Sequence, residues 1–163
     1  MDSIIIFCAK YLFVAIVLLY ALALYQASRK HKKALLISFV IAGITAVILY
    51  KIAGKLYYNP RPFVSQHIKP LIPHSADNGF PSEHTIFTMT ISSVLYYYRR
   101  RLGWLAFALS LIVGLGRIAA HIHSPIDIIG GTIIGIASGS LAYWLTNRLL
   151  ESKRSGGRSA DSK

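Results

Sequence analysis

Cysteine is almost missing from this chain: the single Cys8 excludes an internal disulfide and reads as a buried structural thiol. Charge is scarce too. Only 15% of the 163 residues are charged, against roughly 25% in soluble domains, which argues against an ordinary soluble fold. No internal repeat is present, and no low-complexity stretch lies outside the C-terminal end. The N-terminus has neither a basic start nor a small-residue cleavage site, and its first apolar run is too long for a signal-peptide core, so it reads as a retained span. Long polar segments are equally few: residues 53–81, rich in Pro, His and Asn, form the one such stretch between apolar blocks.

Apolar residues make up 54% of the chain and fall in blocks. A run of ~20 apolar residues crosses a bilayer. The blocks at 4–26, 34–52, 102–119 and 126–145 have about that length, and a shorter one covers 85–98. The expectation is an all-α, polytopic membrane helical bundle of about five transmembrane helices with a polar extracytoplasmic loop. Residues 1–147 would form the membrane domain, and 148–163 a basic, Gly/Ser-rich tail without fixed structure. The polar segment 53–81 cannot lie in lipid unsupported. Gly131, Gly135 and Gly139 recur at helical spacing in the last block and point to close helix packing.

The net charge is +12. In a soluble protein that would suggest nucleic acid, but here the basic residues cluster at the ends of apolar blocks, where the positive-inside rule accounts for them. Twelve of the eighteen Lys and Arg residues fall at 29–33, 99–101 and 148–163. These segments share one side if the N-terminus is outside and the C-terminus inside. The polar segment 53–81 and the segment 117–127 then share the extracytoplasmic face of the cytoplasmic membrane.

Three polar clusters lie at those outer ends: Lys55 to Arg61-Pro62, Pro81-Ser82-Glu83-His84, and Gly116-Arg117 with His123 and Asp127. Each has a bland reading by itself. Lys55 and Arg61 would snorkel to headgroups, Ser82 would only cap a helix, and His123 with Asp127 would be a structural pair. Their convergence on one face favours chemistry, because ionisable groups near lipid are costly. Phosphoryl transfer suits them. Lys55, Arg61 and Arg117 supply charge for the phosphoryl oxygens. The helix beginning after Ser82 presents free N–H groups to an anion. An imidazole held by a carboxylate is a competent nucleophile, a role open to His123 with Asp127, and His84 can serve as general acid. His121 and His123 with Asp127 could ligate a metal, but neighbouring cations oppose one and a second carboxylate is missing. No cofactor is expected.

These clusters resemble the three-part signature of the type 2 phosphatidic acid phosphatase superfamily: a Lys…Arg-Pro element, Pro-Ser-x-His, and Arg-x5-His-x3-Asp. The resemblance covers residues 55–127 and implies a helical membrane core. It implies that His123 forms a phosphohistidine, that Asp127 orients it and that His84 is the acid. Lys55, Arg61, Ser82, Glu83 and Arg117 would form the substrate-binding set. Lys55 and Arg61 are separated by five residues where the family usually has six, which makes Lys51 the alternative cation. Glu83 stands where many members have Gly. Together with the runs Asn59-Pro60-Arg61-Pro62-Phe63 and Asp77 to Thr85, it is similar to undecaprenyl pyrophosphate phosphatases of the bacitracin-resistance type. The expected activity is hydrolysis of undecaprenyl diphosphate on the outer leaflet. Phosphatidylglycerophosphate, phosphatidate and lipid A are the alternative substrates. From other classes, an anion transporter is opposed by Asp127 and by the lack of an inverted repeat, and a non-catalytic lipid-binding protein by the complete His-His-Asp set. His67, His74 and His121 receive no role.

Overall fold

The computed structural model describes the backbone of residues 1–160 and side chains through Ser152. Seven helices follow one another: α1 (Asp2–Lys10), α2 (Phe13–Gln26), α3 (Arg29–Leu56), α4 (Pro62–Ser65), α5 (Glu83–Tyr98), α6 (Arg100–Ala119) and α7 (Pro125–Ala160). The described residues contain no strand, only an isolated bridge between Pro60 and Asn78. The chain is an all-helical bundle.

Among the described residues, four stretches are long and apolar enough to cross a membrane by length and composition: Asp2–Gln26, Arg29–Leu56, Arg100–Ala119 and Pro125–Ser152. The expected number of about five is completed by α5 (Glu83–Tyr98), which runs from one end of the bundle to the other although it is shorter than those four. Its 16 residues reach ~24 Å at 1.5 Å per residue, short of the ~30 Å hydrocarbon core. Instead of facing lipid along its length, α5 is the central helix. Ten of its residues are buried, from Thr85 to Leu95, and α3, α6 and α7 all pack against it. The block at 4–26 is one span made of two helices, α1 and α2, joined at Tyr11–Leu12, where Leu12 N–H bonds to Phe7 O rather than to the residue four back.

Glycine sets how closely α5 and α7 approach. A Cβ on Gly131 would come within 2.9 Å of Ser82 O, on Gly135 within 2.6 Å of Met89 Cβ, and on Gly139 within 2.5 Å of Ser93 Cβ. The small-residue spacing is thus an interhelical seam. At one end of the bundle, Ser38 Oγ donates to Thr146 Oγ1 and pairs with Tyr98 Oη, both at 2.9 Å, tying α3, α5 and α7 together. Arg99 donates to Gln26 O at the same end.

At the C-terminus α7 continues through Ala160. Its backbone thus extends into the segment 148–163 expected as a basic tail. Residues 161–163 lie outside the described residues.

Candidate active site

The opposite end of the bundle gathers the chemistry, and its geometry starts with how α6 stops. His121 adopts φ 61°, the left-handed region that only a few non-glycine residues enter readily, His among them. His121 N–H bonds to Ile118 O and Ile122 N–H to Arg117 O, the two bonds of a Schellman motif. The chain folds back over the last turn of α6, and His123 N–H also reaches Arg117 O at 3.4 Å. This is why five residues separate Arg117 from His123: the turn returns the imidazole to the guanidinium.

Helix α7 then begins at Pro125, a residue preorganised for a first helical position. Asp127 sits two residues inside it and reaches back, accepting Ser124 N–H at Oδ2 over 2.8 Å, half of a capping box. The same oxygen lies 3.3 Å from His123 Nδ1, and Oδ1 accepts Asn59 Nδ2 at 2.8 Å. Asp127 is fully buried, so these bonds and the helix N-terminus hold its carboxylate in place.

His123 Nε2 faces two guanidinium groups, Arg61 Nη1 at 3.3 Å and Arg117 Nη2 at 3.4 Å. Arginine can only donate, so Nε2 accepts and the neutral ring carries its proton on Nδ1, toward Asp127. Burial lowers the His123 pKa, the Asp127 hydrogen bond opposes that, and the charges of Arg117 and Arg61 reinforce it, leaving it below the ordinary value.

Arg61 is held on every side. Nε donates to Asp77 Oδ1 at 2.7 Å, Nη1 to Ile122 O at 2.9 Å, and Nη2 to Asn78 O at 3.4 Å. Burial pushes the Asp77 carboxyl up, but the hydrogen bonds from Arg61 and Ser75 outweigh it and hold the pKa below its usual value. Asn78 fills its entire bonding capacity: Oδ1 accepts Asn59 N–H and Phe80 N–H, and Nδ2 donates to Gly54 O and Tyr57 O. It pins the polar loop to the end of α3. Gly79 is required beside it, since a Cβ there would meet Asp127 Oδ2 at 3.0 Å and Asn59 O at 3.1 Å.

These side chains enclose a cavity of about 80 Å³ lined by Arg61, Arg117, His74, His84 and His123, with Tyr50 and Glu83 at its edge. Arg117 is 5% exposed, and its Nε–H is buried without a partner. His84 packs edge-on against Phe13, ring centroids 6.0 Å apart, and neither ring nitrogen has a hydrogen-bond partner among the described residues. His74 Nε2 accepts from Arg117 Nη2 at 3.2 Å. Burial, then the charges of Arg61 and Arg117, push the His74 pKa down to about 4.

Of the predicted residues, Arg61, Glu83, His84, Arg117, His123 and Asp127 converge here. Lys55 does not. It is exposed on the last turn of α3 and absent from the cavity lining. Tyr50 and Gly54 mark the α3 face turned to the site, and one residue of helix rotates Lys51 and Lys55 by ~100° away from it. Ser82 is the N-cap of α5 but makes no side-chain cap bond. Its hydroxyl accepts from Thr85 Oγ1 at 3.1 Å, and Ser82 is buried and absent from the cavity lining. Glu83 meets the Tyr50 hydroxyl. Sequence reasoning passed over Asn59, Asn78 and His74 as site residues. Asn59 and Asn78 stand inside the runs that carry the subgroup resemblance, whereas nothing near His74 in the chain marks it.

Residues 33–151 match the family model of the PAP2 superfamily. The chain is 33% identical over 151 residues to the Bacitracin transport permease protein BcrC of Bacillus licheniformis, covering 91% of this chain and 73% of that protein. It is likewise 33% identical over 150 residues to the Undecaprenyl-diphosphatase BcrC of Bacillus subtilis (strain 168), covering 91% and 77%. The crystal structure of Aquifex aeolicus LpxE superposes with a TM-score of 0.60 at 20% identity, covering 86% of this chain and 92% of that one, a likeness of fold. The chain belongs to the PAP2 superfamily. It is a multi-pass membrane protein and a phosphoric-ester hydrolase.

Proposed function

We propose that the protein hydrolyses undecaprenyl diphosphate to undecaprenyl phosphate through a phosphohistidine, at a site facing the extracytoplasmic side of the cytoplasmic membrane. The observation that carries this is the buried Arg117 guanidinium with an unpartnered Nε–H, beside the acceptor nitrogen of His123. Buried donors are normally satisfied, and a phosphate oxygen is the partner that two converging arginines fit. When phosphate takes the Arg61 and Arg117 donors, His123 Nε2 is released with its lone pair free. It attacks phosphorus while Asp127 stabilises the imidazolium through Nδ1–H. The bond from phosphorus to the leaving oxygen breaks as His84 gives that oxygen a proton. Water then attacks the phosphohistidine, returning the proton to His84 and releasing inorganic phosphate.

One of the two relatives is named a bacitracin transport permease, and transport, read from the cationic cluster as that of an anion, is the rival reading. The site favours hydrolysis, because His123 is held for attack by Asp127, an arrangement that a passage for anions does not need. The outward face is supported by the basic residues at 29–33 and 99–101, which sit at the bundle end away from the cavity.

The experiment is release of inorganic phosphate by the purified protein in detergent with excess EDTA, comparing undecaprenyl diphosphate with phosphatidate. Preferential turnover of the diphosphate with chelator present is expected. Turnover of phosphatidate alone would assign the alternative substrate class, and abolition by EDTA with rescue by one ion would sink the arginine-based mechanism. In intact cells, a cysteine placed at His74 should react with a membrane-impermeant thiol reagent and one at Arg100 should not; the reverse pattern overturns the orientation.

A further inference from the structure

The bundle end away from the catalytic cavity holds two adjoining cavities, about 250 and 300 Å³, whose walls share His31 and Tyr98. Each is far larger than a single water molecule needs. They lie where the first turns of α3, the last turn of α5 and the C-terminal half of α7 meet. Lys30 and His31 come from α3, Arg99 from the junction of α5 and α6, and Tyr143, Asn147 and Glu151 from α7. None of these residues belongs to the catalytic cavity.

What the walls offer is hydrogen-bond donors. Arg99 spends one N–H on Gln26 O at 3.3 Å. The Lys30 ammonium, the Tyr143 hydroxyl and the Asn147 amide make no hydrogen bond among the described residues. Ser28 decides the state of His31. Its Oγ caps α3 by accepting His31 N–H at 3.5 Å and lies 3.1 Å from His31 Nδ1. With the hydroxyl hydrogen given to Nδ1, the neutral ring carries its proton on Nε2, a further donor. Lysine and arginine cannot accept. Glu151 is the one carboxylate in either wall, and Lys30 with Arg99 outweighs it. The first turn of α3 carries no acid of its own, so its positive dipole end adds to the attraction for an anion.

We propose that these paired cavities bind the headgroup phosphate of an anionic phospholipid from the leaflet at that end of the bundle, at a site separate from the catalytic one. Charge selects the anion, since phosphate oxygens accept from Lys and Arg alike. The rest of the wall selects lipid. Ala34 and Leu35 of α3 and Leu150 of α7 stand among the same lining residues, so the occupant joins phosphate to hydrocarbon, as a free ion does not. Basic pockets between membrane helices hold acidic headgroups in this way. Ser38 already links α3 to α5 and α7 through Tyr98 and Thr146. A headgroup held by Lys30, Arg99 and Asn147 fastens the same three helices again, and a ligand bound only by the folded state raises stability. The site does not depend on which lipid the catalytic cavity turns over.

The test uses the full chain, stripped of lipid in a neutral detergent. It is melted alone and with phosphatidylglycerol, phosphatidylethanolamine or inorganic phosphate, and native mass spectrometry counts the lipid retained. Saturating phosphatidylglycerol should raise the melting temperature by about 5 °C, and the other two by less than about 1 °C. The double variant Lys30→Gln, Arg99→Gln and the single variant His31→Leu should each lose at least half of that shift and the retained lipid. Each shift is read against the variant's own lipid-free melt, so a lowered starting stability does not obscure it. Lys33→Gln removes a charge that lies in neither wall and should keep the full shift. No shift in the wild type overturns the proposal. An equal shift with inorganic phosphate makes this a free-anion site, and an equal shift with phosphatidylethanolamine removes the selection by charge. An equal loss in Lys33→Gln reduces the effect to the general basic charge of that end. Each of these three outcomes overturns it as well.

Discussion

His74 accepts a hydrogen bond from Arg117, with Nη2 and Nε2 3.2 Å apart, so a histidine outside the family signature aims one of its arginines. Only a neutral ring can accept, and with its pKa pushed down to about 4 His74 is neutral throughout the physiological range. A hydrogen bond to a charged group contributes about 1.5–3 kcal/mol. His74→Leu should therefore lower kcat/KM by tenfold or more, chiefly through KM, because the guanidinium loses its orientation toward phosphate. His74→Gln, which restores an acceptor, should recover most of it. Steady-state kinetics on the three proteins decide, and equal losses in both variants would remove the orienting role.

On the proposed mechanism the unprotonated form of His123 attacks, and the pH dependence follows from it. Burial and the two arginines lower its pKa despite Asp127, so the acid limb of kcat/KM should fall below pH 6.5, with activity kept above it and lost as pH drops through the shifted pKa. Asp127→Asn removes the one bond that raises this pKa. The limb should move further down while kcat falls, as a pH–rate profile of both proteins would show. A wild-type limb above 6.5 contradicts the burial argument.

The two cavity histidines should separate by leaving group. On the proposed mechanism His123→Ala removes the nucleophile and should abolish turnover of every substrate along with any acid-labile phosphoenzyme. On the same mechanism His84→Ala removes the proton donor, typically worth 10²–10⁴-fold. An aryl phosphate with an acidic phenol should recover most of that loss, since its leaving group needs no proton. Acid-labile phosphate trapped on His84 would reverse the assignment.

His121 should prove structural. At φ 61° a glycine is at ease, whereas a β-branched residue is strained by about 1–2 kcal/mol. His121→Gly should keep near-wild-type activity, and His121→Val should lower both the melting temperature in detergent and kcat. Inactivity of His121→Gly would reveal a chemical role instead.

Asn59 should matter through Asp127. Asn59→Leu leaves the buried Oδ1 without its donor, a loss of about 1–3 kcal/mol, and Asn59→Asp sets two carboxylates together. Thermal melts should show both variants destabilised, and kcat should fall further in Asn59→Asp, because the displaced Asp127 no longer holds Nδ1. Unchanged kcat in both would show that Asp127 orients His123 without help.

Read from the chain alone, the apolar blocks declared a helical membrane bundle, because crossing hydrocarbon requires long apolar runs that satisfy their own backbone. The set Arg61, His84, Arg117, His123 and Asp127 was legible for a similar reason. Arg117, His123 and Asp127 are bound by local geometry, a Schellman turn followed by a helix cap, which constrains spacing in the sequence. What the chain could not reveal depends on partners far away in it. The central place of α5 is decided by α3, α6 and α7 packing around it, and the exclusion of Lys55 by the rotation of α3 against the loop held by Asn78. His74 reaches Arg117 across 43 positions. Contacts between distant segments leave no periodicity or spacing in either segment, so these features belong to the tertiary structure.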